Sequence, residues 1–133
     1  MSDVVLKYSI LKGDGMELLF ETAKRKNHTI FKLTGDLNYE GALRLKKAFE
    51  DAFLLDETHF ILDLKSCKTI SSFALSMLLK LNDTIKEKNG GFRLICPIGD
   101  VLDVLDVLDI RNVIPIYSSE DELWKNSGQD SLT

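Results

Sequence analysis

Apolar and polar residues alternate at Phe31, Lys32, Leu33 and Thr34, the pattern of a strand with one wet face. Together, Glu17 to Ala23 and Thr29 to Thr34 read as two strands, and the polar run Lys24 to His28 between them predicts a hairpin. Upstream, Val4 to Leu6 and Tyr8 to Leu11 can supply an extra strand, with Gly13-Asp14-Gly15 as a turn. The period then changes. Ala42, Leu45, Phe49, Ala52 and Phe53 recur at helical spacing behind Asn38, whose short side chain suits the N-cap. Phe60 to Leu64 is a nearly continuous apolar run, which predicts a strand covered on both faces.

A second helix begins after Ser71 and Ser72, turns Ala74, Leu75, Leu78, Leu79 and Ile85 inward, and ends at Asn89-Gly90-Gly91, where glycine takes the left-handed C-cap. Phe92 to Cys96 is the next strand, stopped by Pro97. Between Asp100 and Asp109, three Val-Leu-Asp triplets read as an amphipathic helix, its aspartates on one flank and its Val-Leu pairs on the other. Val113 to Tyr117 is a last strand, and Pro115 favours the sheet edge. Ser118 or Ser119 caps a final helix through Leu123 and Trp124, with a polar tail from Asn126 expected to fray. Helices alternating with strands after an opening hairpin predict an α/β domain with a mixed sheet of about four to six strands and about four helices.

The chain has 133 residues, which suits a single domain, and 44% apolar residues support a packed core. The formal charge of −4 argues against direct nucleic-acid binding and against a polybasic membrane surface protein. No apolar run reaches the ~20 residues of a membrane span, and the N-terminus has no signal-peptide pattern, so a cytoplasmic domain without membrane insertion is expected. Phosphate-binding glycine motifs are absent. His28 and His59 fall in predicted turns far apart in sequence and read as surface residues rather than general bases. The aspartate triplets lack the loop of a calcium site, and Cys67 and Cys96 lack metal or redox spacing. No enzyme, cofactor or metal is expected.

The turn Thr69-Ile70-Ser71-Ser72-Phe73 remains. A serine at a helix start can cap it, and the same place suits an added phosphate, because free amides and the helix dipole favour negative charge.

Three stretches resemble the STAS domain family, the bacterial anti-sigma factor antagonists. Leu33-Thr34-Gly35-Asp36-Leu37-Asn38 is similar to that family's LTGELD; Ile61 to Leu64 followed by Ile70-Ser71-Ser72-Phe73-Ala74-Leu75 is similar to its strand and D-S-x-G-L; Gly90 to Ile95, the Asp100 helix and Val113 to Tyr117 complete the order. Here Ser71 stands in place of the motif's Asp, and Ala74 in place of its Gly.

The resemblance implies a single STAS-like domain over residues 16–126, with 1–15 an N-terminal extension and 127–133 a flexible tail. It implies a non-catalytic module that binds an anti-sigma factor that is also a serine kinase and is switched by phosphorylation. The phosphoacceptor position falls on Ser72, with Ser71 the second candidate, and Asp36, Asn38, Ser66, Thr69, Phe73 and Ser76 would meet the partner. Two other roles are compatible with the family: a constitutive scaffold or regulatory subunit in which Ser72 is only a cap, and a nucleotide- or lipid-binding domain in a transport complex.

Overall fold

The computed structural model describes the backbone of residues 4–13 and 16–130, with side chains from 18 to 126. Along the chain run β1 (Val4–Gly13), β2 (Met16–Arg25), β3 (His28–Leu37), α1 (Tyr39–Leu54), β4 (His59–Ile70), α2 (Ser72–Glu87), β5 (Gly91–Ile95), α3 (Asp100–Val107), β6 (Ile116–Tyr117) and α4 (Glu120–Asp130). The six strands form one mixed sheet in sequential order. β1, β2 and β3 are antiparallel neighbours, and β3 to β6 are parallel. The extra N-terminal strand is thus the sheet edge beside β2; of the turn expected after it, Asp14 and Gly15 lie outside the described residues.

Hairpin and crossovers follow from local chemistry. Lys26 and Asn27 both take positive φ, 51° and 65°, as a two-residue turn matched to strand twist requires. Phe31, Leu33, Phe60, Leu62 and Leu94 point to one face, into the main core under α1, α2 and α3. Ile30, Ile61 and Ile95 point to the other, where Leu123 of α4 covers them. The uninterrupted apolar run of β4 therefore reflects burial on both sides. Phe49 anchors α1 to the sheet, its ring 4.9 Å from Phe31 and 4.8 Å from Phe60.

Several sequence expectations are corrected. β4 does not stop near Leu64 but continues to Ile70, because residues 66–70 pair irregularly with the end of β3. At the end of α2, Asn89 rather than a glycine takes the left-handed conformation, with φ 63°. Gly90 is needed for space: a Cβ there would stand 1.9 Å from the carbonyl oxygen of Thr58. β6 shrinks to Ile116–Tyr117, with a short 3-10 turn at Ile110–Asn112 occupying the approach, and it forms the sheet edge expected from Pro115. The helix of α4 continues to Asp130, and residues 131–133 lie outside the described region.

The Val-Leu pairs of α3 do not all face inward. Each triplet advances about 300° around a helix, so successive valines fall back by about 60°. Val101 is buried, Val104 is partly exposed and Val107 is mostly exposed. Of the two histidines read as surface residues, His59 is exposed as expected, whereas His28 is not, and the two are neighbours in space. Parallel pairing of β3 and β4 sets their rings 5.7 Å apart, and His28 is half-buried with its ring 5.2 Å from that of Trp124. Arg25 closes this end of the sheet by an ion pair with Glu120 of α4, whose carboxylate also accepts from Trp124 Nε1 at 3.0 Å.

Candidate functional site: two helix starts side by side

β3 and β4 run parallel and end in register, Leu37 beside Ile70. Each is followed by one short polar residue and then a helix. Asn38 Oδ1 accepts the Gly41 amide at 2.9 Å, and Ser71 Oγ accepts the Ala74 amide at 3.1 Å. The N-termini of α1 and α2 therefore open at the same end of the sheet, and both dipoles present their positive ends there.

Gly35 shapes the approach. Its φ of 115° is one that L side chains rarely adopt, and the β3–β4 register shifts between Gly35 and Asp36. Beyond the shift Asp36 lies opposite Thr69, whose hydroxyl donates to Asp36 Oδ1 at 2.7 Å. Beneath them, Cys67 donates its thiol proton to the Thr69 carbonyl at 3.2 Å. Burial pushes both the Cys67 and the Cys96 thiol up to about 11, so neither is a thiolate at neutral pH.

Ser71 is the cap of α2; Ser72 is the first helical residue, exposed, and its hydroxyl makes no hydrogen bond among the described residues. The reading in which Ser72 itself caps the helix is thereby corrected. Phe73 is 38% exposed and packs its ring 4.5 Å from that of Tyr39, which is 56% exposed. Ser76 is exposed one turn further along α2. Asp36, Asn38, Thr69 and Phe73 thus gather around the two helix starts. Ser66 is exposed but lies back along β4, opposite Thr34 rather than beside the caps. Tyr39 was missed from sequence, although an aromatic directly after a cap and outside the apolar stripe is a signal for it.

Ala74 is fully buried in the main core, so its methyl group faces inward. No group of three or more His, Cys, Asp or Glu that could hold a metal occurs among the described residues, and no helix there is long and apolar enough to cross a membrane.

This architecture is shared with solved structures. TM1081 from Thermotoga maritima superposes with a TM-score of 0.71 at 26% identity, covering 80% of this chain and 92% of that one. An anti-sigma factor antagonist from Mycobacterium paratuberculosis gives 0.70 at 14% identity, covering 81% and 92%. The anti-sigma factor antagonist SpoIIAA in its unphosphorylated form gives 0.69 at 14% identity, covering 82% and 96%. No curated protein matches the chain. The model of the STAS domain matches residues 20–123, from β2 into α4, and the chain belongs to the STAS domain family.

Proposed function

We infer that the protein is a non-catalytic cytoplasmic binding module that docks an anti-sigma factor with serine kinase activity through the end of the sheet where α1 and α2 begin. Phosphorylation of Ser72 ends the association. The observation that carries this reading is the division of labour between neighbouring serines. Ser71 is committed to the α2 cap, whereas Ser72 offers an exposed hydroxyl with no partner among the described residues. SpoIIAA, which shares the fold, has been solved in both an unphosphorylated and a phosphorylated form.

The physics of the switch is local. A phosphate on Ser72 adds about −1.5 to −2 charges beside two helix N-termini, where dipoles and free amides tolerate it. The exposed rings of Phe73 and Tyr39 stand next to it. A partner that buries those rings would have to desolvate the dianion as well, an expensive step without a matching cation. Asp36 and Thr69 contribute a polar rim, and Ser76 and Ser66 extend it along α2 and β4.

The test is affinity capture from the native cell with wild type, Ser72→Ala and Ser72→Asp in parallel. Wild type and Ser72→Ala should retain an anti-sigma factor with kinase activity and Ser72→Asp should lose it; equal retention by all three would favour a constitutive scaffold.

A further inference from the structure

The flank of α3 that turns away from the core is unlike the rest of the helix surface. Val104, Val107 and Leu108 are 38%, 83% and 52% exposed, and spacings of three and four residues put them on one side. Asp100 and Asp103 stand four residues before Val104 and Val107 and so share that side. The four aspartates of the repeat are not equivalent. Asp106 pairs with Arg111 at 3.2 Å, and Asp109 accepts from Asn112 at 2.7 Å. Neither Asp100 nor Asp103 meets a cation or a donor among the described residues. The helix dipole accounts for carboxylates in a first turn. It does not account for three aliphatic side chains left in water beside them, since single exposed aliphatics are ordinary but a contiguous strip is not.

We propose that this flank docks a basic amphipathic segment of a partner protein, whose apolar side chains seat on Val104, Val107 and Leu108 while its lysines or arginines meet Asp100 and Asp103. Charge complementarity selects that occupant. A second copy pairing through the same flank would bring further aspartates and no cation to it, and an anionic lipid surface would be repelled by them. The surface is made by α3 and its C-cap Leu108 and does not depend on the reading of Ser72.

The experiment titrates the full chain with a fluorescent 18-residue synthetic peptide carrying leucine on one helical face and lysine on the other, at physiological ionic strength. Amide shifts map the contact. Wild type should bind with shifts centred on residues 100–108. Asp100→Asn with Asp103→Asn should weaken binding about tenfold, as two rim charge pairs can, and Val107→Ser should weaken it as well. A control with the same charge change on α2, Asp83→Asn with Glu87→Gln, should bind within about twofold of wild type. Absence of binding to wild type, shifts centred elsewhere, or equal weakening by the two charge-matched variants would overturn the proposal.

Discussion

The backbone amide of Ser71 donates to the carbonyl of Leu37 over 3.0 Å. This bond fastens the first residue beyond β4 to the last residue of β3, and it uses the Ser71 amide while the side chain turns to cap α2. Ser72 is thereby carried past the strand ends to the first helical position, facing solvent. Both helices open with the same local bond: the Asn38 carbonyl accepts the Ala42 amide at 2.8 Å, and the Ser71 carbonyl accepts that of Leu75 at 3.1 Å. Two parallel strands ending together, each with a polar cap, make a rigid shelf on which an added charge is displayed rather than absorbed.

Ser71→Ala should lower stability by about 1 kcal/mol, the usual cost of a lost N-cap. Ser72→Ala should change it by less than about 0.5 kcal/mol, because its hydroxyl makes no hydrogen bond among the described residues. Urea denaturation of the two variants checks this, and a larger loss for Ser72→Ala would reverse the assignment of cap and free hydroxyl.

Features set by short-range chemistry were legible in the sequence. Asn38 and Ser71 announce helix starts because a short polar side chain before an apolar stripe has few other uses. The alternation around Phe31 and the unbroken run at Phe60 reported one covered face in the first case and two in the second, though β3 proved to be covered on both faces, through Phe31 and Ile30. What escaped depends on register or on phase. The extension of β4 through Lys65 to Ile70 has no apolar pattern of its own and exists because β3 lies beside it. The neighbourhood of His28 and His59 needs two strands to be parallel and in step. In α3 the three-residue repeat looks regular in sequence, yet it precesses against a 3.6-residue turn until Val107 faces water. Tyr39 and Phe73 meet because two helices start side by side, which no local signal specifies.

Asn82 lies on the buried side of α2 among Leu78, Leu81 and Ile85, and its Nδ2 has no hydrogen-bond partner among the described residues. Replacing it with leucine removes an unsatisfied donor and retains the side-chain shape. Asn82→Leu should raise stability by about 1–2 kcal/mol. A urea midpoint below that of wild type would show that the amide does more than occupy space.

His28 titrates against its surroundings. Nδ1 donates to the Lys26 carbonyl at 2.8 Å, which leaves Nε2 facing Arg93 Nη1 at 3.4 Å. Burial first, then the charges of Arg93 and His59, hold the imidazole below its ordinary value of 6.5, outweighing the hydrogen bond to Lys26 that raises it. Arg25, Lys26 and Glu120 complete the charged surroundings around Trp124. With the folded-state value depressed, the contribution to stability is complete above 6.5 and is lost as pH falls from there through the folded-state value. Glu120 titrates in a separate, lower window: burial works to raise its carboxyl, but hydrogen bonds from Trp124 and Arg25 outweigh it and hold it below 4.5. Stability measured between about pH 7 and pH 5 should therefore fall less steeply in His28→Gln than in wild type. Equal slopes would remove His28 from the account.

The exposed hydroxyl of Ser72 is the centre of the functional reading, and phosphosite mapping tests it most directly. Protein isolated from its native cell with phosphatases inhibited, digested and sequenced by tandem mass spectrometry, should carry phosphate on Ser72 and not on the capping Ser71. Phosphate confined to any other residue, or a protein wholly unmodified under every growth condition sampled, would contradict it.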